Sequence, residues 1–501
     1  MGQVYLIGAG PGDEELITVK AVRVLKKCDV VLYDRLSNDN LLKYLKDDAK
    51  LYYCGKKPGN HYRTQEETND KIVELAKQGY TVGRIKGGDP YIFGRGGEEG
   101  LRLFKEGIDF EVIPGITSPI AVLNYSGIPT TQRDVAQSFH VYIGKTSGEH
   151  NIDWSVVSKN EGTQIFLMGL GKLEEIVDNL IKNDKDKNTP IAVIMKGTTS
   201  KQKKVIGTLN DIVKKVKDAK LESPCIIALG DVVNLNDKLN WYEDKPLFGL
   251  NICTTRSRAQ SSELNEKILD LGGEVTEINT IKIVPTPSHL DKYSEKVSNY
   301  DYVVLTSVNA VDIFFQRLIE LDIDIRSLKA EIIVIGKKTY EVVKERGIIP
   351  FAMSKHFIAE SLFERMKEFI KKGDKILLPQ SKISRPFLYD SLVNEGCLVD
   401  KIDIYDTVSG DVKCEKSTEN SMKDVDIILF TSPSTVKNLI SMVGIENIKD
   451  KEIISIGEIT EAEIKRQGLN CHVCEECSVE GLIEKILEIK EKMKCSKDTE
   501  G

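Results

Sequence analysis

The 501-residue chain has no long apolar run: no stretch approaches the ~20 consecutive apolar residues of a membrane-spanning helix. It also has no excess of positive charge, since 70 Lys and Arg stand against 77 Asp and Glu and leave a net charge of −7. This balance argues against a general nucleic-acid or membrane surface, so an anionic ligand would need basic residues gathered in a cleft. No secretory leader is expected, because a strand pattern begins at once with Val4, Leu6 and Ile7.

A disulfide framework is absent as well. The ten cysteines follow no spacing typical of a stapled scaffold, which favours a reducing, cytoplasmic environment. Three of them stand close together in Cys471-His-Val-Cys-Glu-Glu-Cys477, with Cys471, Cys474 and Cys477 as the thiols. A closed metal site needs four ligands, and on a strand His472 would face away from Cys471. Both a metal site and incidental cysteines remain open interpretations, and we predict no metal.

The composition is that of an ordinary globular protein, with 41% apolar and 29% charged residues. At about 150 residues per domain, the length predicts three or four domains. Apolar strand patterns such as Val30–Tyr33 alternate with helical patterns, so we expect a soluble, intracellular protein of the α/β class.

Glycine is concentrated in two loops. The denser one, Lys86-Gly-Gly-Asp-Pro-Tyr-Ile-Phe-Gly-Arg-Gly-Gly-Glu-Glu99, follows a strand pattern and precedes a helical one. Glycine lets the backbone approach a ligand closely, and open α/β sheets bind small molecules at the carboxyl ends of their strands. The other loop, Gly8-Ala-Gly-Pro-Gly-Asp13, precedes a strand that ends at Asp34. Its Pro11 stands where a dinucleotide fingerprint needs a backbone N–H, which argues against an NAD site.

The first half of the chain resembles the tetrapyrrole methylases, specifically uroporphyrinogen-III C-methyltransferase, over residues 1–243. The matching segments, in order, are GAGPGD, YDRL (33–36), KGGDPYIFGRGGEE, PGITS (114–118) and GIPTTQRD (127–134). The resemblance implies two α/β subdomains, about 1–116 and 117–243, with S-adenosylmethionine in the cleft between them. It places the cofactor against Pro11, Gly87, Gly88, Asp89, Ile92, Thr117, Ser118, Met168 and Gly197.

The same resemblance makes Asp34 the base and Lys56 the proton donor. The substrate carbon is a weak nucleophile, so a carboxylate that removes a proton as the methyl arrives lowers the barrier. Without the resemblance, Asp34 would fit a helix cap and Lys56 a solvated surface lysine. Basic residues cluster near the glycine-rich loops, and they either meet substrate carboxylates or are solvated charges; these are Arg84, Lys86, Arg95, Arg102 and Arg133.

The second half of the chain repeats itself with a period of about 120 to 125 residues. Residues 301–311 are echoed by 426–436, and residues 332–339 by 453–460. This period is too long for a solenoid and predicts two similar α/β lobes with a cleft between them. In each lobe a strand ends in Thr-Ser before a helix, where the hydroxyl either helps to hold an anion or caps the helix.

This half resembles uroporphyrinogen-III synthase over residues 249–490, after a linker at 244–248 and before a charged tail at 491–501. The resemblance rests on the Thr-Ser strand ends, the Ile-Gly-x-x-Thr pattern, Arg256 and Ile404-Tyr-Asp-Thr407. It implies two lobes, 249–283 plus 408–490 and 284–407, and no cofactor. Tyr405 lies in the implied cleft, where it either assists the leaving hydroxyl as an acid or only packs. Substrate carboxylates would meet Arg256, Ser307, Thr339, Ser432 and Thr460.

Together the resemblances predict a bifunctional cytoplasmic enzyme of sirohaem and cobalamin synthesis. It would cyclise hydroxymethylbilane to uroporphyrinogen III and methylate this product twice, giving precorrin-2; tethering would raise the local concentration of the shared intermediate. We expect small tetrapyrrole substrates, no nucleic acid, no membrane, and a homodimer through the methyltransferase half. One alternative is a methylase for a later corrin intermediate whose C-terminal half only binds a polycarboxylate. Another is an NAD-dependent oxidoreductase.

Overall fold

The computed structural model describes residues 2–34, 39–46, 48–55, 64–144, 152–255, 258–354, 358–410 and 421–499. Within these ranges the chain forms four sheets flanked by helices, two sheets in each half, which confirms the predicted α/β class. No helix in the same ranges is long and apolar enough to cross a membrane. Lys56 and Arg256, both predicted as functional, lie outside the described residues.

The first sheet is all-parallel, with the order β3-β2-β4-β1-β5. Its strands are β1 (Val4–Gly8), β2 (Val30–Tyr33), β3 (Lys50–Tyr53), β4 (Val82–Lys86) and β5 (Phe110–Ile113). The helices are α1 (Val19–Leu25), α2 (Gln65–Lys77) and α3 (Gly96–Lys105), with 3₁₀ helices at Glu14–Leu16 and Asp39–Tyr44. Every residue of β1, β2 and β4 is buried, because the helices cover both faces of a parallel sheet.

The second sheet is mixed, with the order β6-β7-β10-β8-β9, and only β6 and β7 are parallel neighbours. Its strands are β6 (Phe139–Ile143), β7 (Thr163–Leu167), β8 (Pro190–Met195), β9 (Lys203–Thr208) and β10 (Cys225–Leu229). The helices are α4 (Ser118–Tyr125), α5 (Trp154–Val157), α6 (Leu173–Lys182), α7 (Ile212–Asp218) and α8 (Asn236–Leu239), with 3₁₀ helices at Leu170–Lys172 and Asp231–Leu235. The change from the first sheet to the second falls at α4.

The third sheet is all-parallel, with the order β12-β11-β19-β20-β21. Its strands are β11 (Asn251–Thr254), β12 (Glu274–Glu277), β19 (Ile427–Phe430), β20 (Glu452–Ser455) and β21 (His472–Val473). The helices are α9 (Arg258–Asp270), α14 (Pro433–Val443), α15 (Glu458–Arg466) and α16 (Val479–Thr499), with a 3₁₀ helix at Ile445–Asn447.

The fourth sheet has the order β13-β18-β17-β14-β15-β16, and β13 is antiparallel to β18. Its strands are β13 (Ile281–Pro285), β14 (Tyr302–Leu305), β15 (Glu331–Val334), β16 (Ala352–Met353), β17 (Lys375–Ser381) and β18 (Leu398–Ser409). The helices are α10 (Val308–Glu320), α11 (Lys337–Lys344), α12 (Ala359–Met366) and α13 (Phe387–Asn394), with 3₁₀ helices at Pro287–Asn299 and Ile325–Ser327.

The third and fourth sheets confirm the internal duplication. The order β12-β11-β19-β20-β21 corresponds strand for strand to β18-β17-β14-β15-β16, and β13 is the one strand added in the second lobe of the described chain. The predicted lobe boundary at residues 283 and 284 falls inside β13, which belongs whole to the second lobe because it pairs only with β18 in the described structure. The other predicted boundary, at 407 and 408, falls inside β18 near its end. The whole of β18 belongs to the fourth sheet and so to the second lobe.

The segments predicted as linker and tail contact the rest of the chain. Leu247 is fully buried, and the Tyr242 ring lies 4.6 Å from the Tyr125 ring and 5.2 Å from the Phe248 ring between centroids. The linker therefore packs against both halves of the chain. Helix α16 runs on to Thr499, and Lys490 Nζ donates to the Phe248 carbonyl over 2.6 Å, which ties the helix to the linker.

Candidate active sites

Three glycines allow three backbone segments to meet at the carboxyl edge of the first sheet. Gly88 N donates to Gly10 O over 2.7 Å, and Gly88 has a φ of +69°, a conformation that glycine adopts without strain. A Cβ atom on Gly115 would lie 2.3 Å from Gly88 O, and one on Gly8 would lie 2.5 Å from Gly115 N. Any side chain at these positions would separate the loops. The loops around residues 8–13, 86–89 and 114–118 are thus held together as one surface.

Asp89 ties two of these loops by hydrogen bonds. Its Oδ1 accepts from Tyr91 N over 2.8 Å, and its Oδ2 accepts from Gly115 N over 3.1 Å. The first residues of α4 are close by, since a Cβ atom on Gly88 would lie 3.8 Å from Ser118 N and 3.9 Å from the Thr117 Cα. The side chain of Thr117 does not cap α4. Gly87, Gly88, Asp89, Thr117 and Ser118, predicted separately from two motifs, therefore lie side by side.

The second subdomain closes this surface through the loop after β8. Thr198 Oγ1 accepts from Asp13 N over 3.1 Å, and a Cβ atom on Gly12 would lie 2.7 Å from the same oxygen. A Cβ atom on Gly197 would lie 2.3 Å from Val122 Cγ1, so this loop also packs on α4. Lys196 and Thr198 have φ values of +47° and +68°, a strained conformation that sequence reasoning missed and that is concentrated at functional loops.

The remaining predicted cofactor contacts are apolar, with Pro11 half-buried and with Ile92 and Met168 exposed. Pro11 lies between the two glycines that contact Gly88 and Thr198. Ile92 is 44% exposed and Met168 is 57% exposed, and Met168 has a φ of +54°. A cradle of glycine backbone with exposed apolar side chains fits S-adenosylmethionine, whose adenine needs apolar surface and whose polar groups need close backbone N–H and C=O groups.

Asp34 begins a buried network of charges beneath this surface. Arg84 Nη2 donates to Asp34 Oδ2 over 3.0 Å, while Arg84 Nε donates to Glu99 Oε1 over 3.3 Å. Lys86 Nζ donates to the same Glu99 oxygen over 2.9 Å. The side chains of Arg84, Lys86 and Glu99 are 7%, 5% and 0% exposed, whereas that of Asp34 is 25% exposed. Of these four charged side chains, Asp34 is therefore the most exposed.

Of the basic residues predicted near the glycine-rich loops, Arg84 and Lys86 are buried, whereas Arg95 and Arg102 lie at the surface. Burial acts to lower the pKa of Arg84. The charges of Glu99 and Asp34 outweigh this effect, so the pKa is raised above its ordinary value. Burial lowers the pKa of Lys86, and Glu99 opposes this shift. Arg95 and Arg102 instead form surface ion pairs with Glu98 and with Asp70 and Glu106.

In the C-terminal half, Tyr405 of β18 reaches the second lobe's Thr-Ser strand end. The Tyr405 hydroxyl and Ser307 Oγ are 3.0 Å apart, and Tyr405 is 7% exposed. Burial raises the pKa of Tyr405, partly offset by hydrogen bonds with Ser307, Ser381 and Asn309. Ser307 also caps α10 by accepting from Ala310 N over 3.1 Å. Ser307 therefore both caps α10 and contacts the Tyr405 hydroxyl.

Of the other predicted substrate contacts, Ser432 is partly exposed, whereas Thr339 and Thr460 are buried. Ser432 caps α14 by accepting from Thr435 N over 3.4 Å, and it lies 2.9 Å from Ser434 Oγ. Thr339 and Thr460 are 5% and 3% exposed, so their side chains lie in the interior. Gly336 and Gly457 are the N-cap residues of α11 and α15, the helices that contain these threonines, and glycine provides no side-chain cap. A ligand at these two positions would meet backbone N–H groups first.

The cysteine-rich segment does not form a ligand cluster. Cys474 is buried, Cys477 is exposed, and His472 Nε2 lies 2.9 Å from Glu452 Oε2. In the part of the chain that the structure describes, no group of three or more His, Cys, Asp or Glu side chains could hold a metal ion.

Comparison with known proteins matches each half of the chain to a family. A family model for tetrapyrrole (corrin/porphyrin) methylases matches residues 3–213, and one for uroporphyrinogen-III synthase HemD matches residues 262–484. A porphyrin biosynthesis protein HemD of Ruminiclostridium josui is 34% identical over 97% of this chain and 98% of its own length. A uroporphyrinogen-III C-methyltransferase of Bacillus subtilis is 38% identical over 70% of this chain and 73% of its own length. One of Methanocaldococcus jannaschii is 50% identical over 47% of this chain and 98% of its own length.

The family matches identify a two-part enzyme of tetrapyrrole biosynthesis. The chain belongs to the family of porphyrin biosynthesis proteins in which a tetrapyrrole methylase precedes a uroporphyrinogen-III synthase. Its first half is a C-methyltransferase that uses S-adenosylmethionine, and its second half is a uroporphyrinogen-III synthase, a lyase.

Proposed function

We propose that the C-terminal half closes hydroxymethylbilane to uroporphyrinogen III and that the N-terminal half methylates this product twice, giving precorrin-2 for sirohaem or cobalamin synthesis. The observation that carries the proposal is the presence in one chain of a glycine cradle beside Asp34 and a duplicated lobe pair with Tyr405 at its strand ends. The product of the lobe pair is the substrate that the cradle half needs.

In the methylation half, the chain's own residues bind the donor and remove a proton. The glycine loops with Pro11, Asp89, Ile92, Thr117, Ser118, Met168 and Gly197 would hold S-adenosylmethionine, which supplies an electrophilic methyl group when bound. As the substrate carbon takes the methyl, Asp34 accepts the proton that leaves the macrocycle, which is typically worth 10²–10⁴-fold in rate. Arg84 holds the Asp34 carboxylate in place. Lys56 stays a predicted proton donor.

In the cyclisation half, Tyr405 donates a proton to the departing hydroxide of the linear substrate. Burial raises the pKa of Tyr405 and keeps the phenol protonated at neutral pH. The last pyrrole ring of the substrate then bonds to the resulting cation with inversion of that ring, and the proton that this ring loses returns to the Tyr405 oxygen. Ser307, Ser432 and the helix starts near Thr339 and Thr460 would hold the carboxylate arms, and most of the rate enhancement would come from positioning the two ends of the chain.

The assembly and compartment of the protein belong to the same proposal. Leu101 and Phe104 on α3 are 65% and 76% exposed, and such apolar exposure supports a homodimer through the methyltransferase half. Cys28, Cys225, Cys253, Cys397, Cys471 and Cys474 are free thiols in the described structure, which supports a reducing cytoplasm.

The test is anaerobic turnover of enzymatically generated hydroxymethylbilane by the full chain, with and without S-adenosylmethionine. We expect uroporphyrinogen III without the methyl donor and a dimethylated product with it. Uroporphyrinogen I alone, from spontaneous closure, would show that the C-terminal half only binds a polycarboxylate. Failure to methylate supplied uroporphyrinogen III would favour a later corrin substrate.

A further inference from the structure

Glu99 is the most deeply buried charge of the methylase half's ion network. It lies in the first turn of α3 and is 1% exposed. Its Oε1 accepts three hydrogen bonds, from Lys86 Nζ over 2.9 Å, from Gln65 Nε2 over 3.0 Å and from Arg84 Nε over 3.3 Å. Its Oε2 is buried and has no hydrogen-bond partner within the described ranges. A carboxylate in this position costs free energy that a neutral residue would not.

If Glu99 had only a structural role, the ion network would end among buried side chains. Arg84 instead extends the network to Asp34, whose side chain is partly exposed. The Arg84 Nη1 donates to the Ile85 carbonyl over 2.8 Å, the Nε donates to Glu99, and the Nη2 donates to Asp34. The guanidinium is planar and its donors have fixed directions. Once two of its sides are held by Glu99 and the backbone, the third side fixes where the Asp34 carboxylate lies.

We propose that Glu99 is a positioning residue for methylation, acting through Arg84 to hold the Asp34 carboxylate in the cleft. The inference rests on the proposed function, in which Asp34 removes the substrate proton. Glu99 itself touches neither substrate nor methyl donor. A misplacement of about 1 Å at a reacting group can cost roughly 100-fold in rate, so the loss of one anchor behind Arg84 is sufficient to slow the reaction.

The first experiment compares Glu99→Gln with Glu98→Gln in the full chain. Glu98 is the adjacent residue of α3, and its side chain is 53% exposed and paired only with the surface Arg95 within the described structure. We expect Glu99→Gln to lower kcat for methylation of uroporphyrinogen III by about 10- to 100-fold. Affinity for S-adenosylmethionine, measured by calorimetry, and cyclisation by the C-terminal half should stay within about twofold of the wild type, because neither uses the charge. Glu98→Gln should change none of the three.

The second experiment is a double-mutant cycle with Asp34→Asn. If Glu99 acts through Asp34, adding Glu99→Gln to Asp34→Asn should lower the residual methylation by less than about twofold. Two full, multiplicative losses would overturn the inference, because they would show that Glu99 acts independently of Asp34. A normal rate in Asp34→Asn with a slow Glu99→Gln would overturn it as well, while leaving the methylase assignment intact. A wild-type chain that does not methylate uroporphyrinogen III would instead contradict the proposed function.

Arg84→Lys tests the same relay without touching α3. Lysine keeps the positive charge but has no planar fork to join Glu99 and Asp34. We expect the same loss of kcat with S-adenosylmethionine affinity kept. If Glu99→Gln loses methyl-donor binding along with kcat, the result for Arg84→Lys decides: full activity in Arg84→Lys would overturn the relay.

Discussion

Ser200 donates both its backbone N–H and its hydroxyl to one carboxylate oxygen of Glu274, over 2.9 and 2.6 Å, and thereby joins the methylase half to the synthase half. The same strand, β12, accepts from Asn40 Nδ2 at the Val275 carbonyl over 2.8 Å. These contacts come from the loop after Gly197 and from the segment that follows Asp34. The synthase half therefore packs against loops that form the predicted cofactor site.

Glu274→Ala is expected to loosen the loop around Ser200 without unfolding either half. A hydrogen bond to a charged group contributes about 1.5–3 kcal/mol, so local opening at Ser200 should become roughly 10- to 100-fold more frequent. Hydrogen exchange read by mass spectrometry measures this directly. Glu266→Ala, on the exposed face of α9, is the control and should leave exchange at Ser200 unchanged. Equal exchange in both variants would show that this contact does not restrain the loop.

Asp34→Ala is expected to remove methylation and to spare cyclisation. Loss of a general base lowers the rate by about 10²–10⁴-fold, while Tyr405 and Ser307 lie in the other half and keep their 3.0 Å contact. Both activities are measured on one preparation supplied with uroporphyrinogen III or with hydroxymethylbilane. Loss of cyclisation together with methylation would contradict two separate sites.

The sequence predicts the glycine loops, and it names Asp34, Arg84 and Lys86, but it does not predict how these charges pair with one another and with Glu99. A glycine with positive φ, such as Gly88, is required by its own backbone and is visible as a local pattern. The contacts from Arg84 to Asp34 and to Glu99 span 50 and 15 residues and depend on the fold. The position of Glu99 along α3 could have predicted its burial, because it lies four residues before the buried Leu103 and therefore on the same face of the helix. Glu98 lies on the exposed face.

The synthase half shows the same limit. The repeat correctly predicts two lobes, because duplicated strands keep their order. It cannot show that Thr339 and Thr460 are buried, since the Ile-Gly-x-x-Thr pattern fixes a helix start and the packing of the helix decides which way its first side chains point. The sequence identifies residues 244–248 only as a linker, and the burial of Leu247 in the core of the third sheet depends on contacts with residues far along the chain.

Thiol reactivity should follow burial. Burial raises the pKa of Cys28, Cys225 and Cys253 to about 12, so at pH 8 these groups stay protonated and unreactive. Cys477 and Cys495 are exposed. Brief alkylation of the native chain at pH 8 should therefore modify Cys477 and Cys495 before Cys28, Cys225 and Cys253, with the sites identified by peptide mass spectrometry. Denatured protein, in which every thiol reacts, is the control, and early modification of Cys253 would contradict the packing of β11.

Tyr405→Phe is expected to slow cyclisation and to leave methylation unchanged. The substitution removes the hydroxyl that lies 3.0 Å from Ser307 Oγ but keeps the ring that packs in the core of the second lobe. Loss of a positioned acid predicts a fall of about 10²-fold or more in the rate of uroporphyrinogen III formation, while loss of one hydrogen bond costs only about 0.5–1.5 kcal/mol of stability. Isomer analysis of the product separates enzymatic closure from spontaneous closure. Tyr389→Phe, in α13 of the same lobe, is the matched control. If both variants form uroporphyrinogen III at the wild-type rate, Tyr405 only packs, and the proton for the departing hydroxide comes from another group.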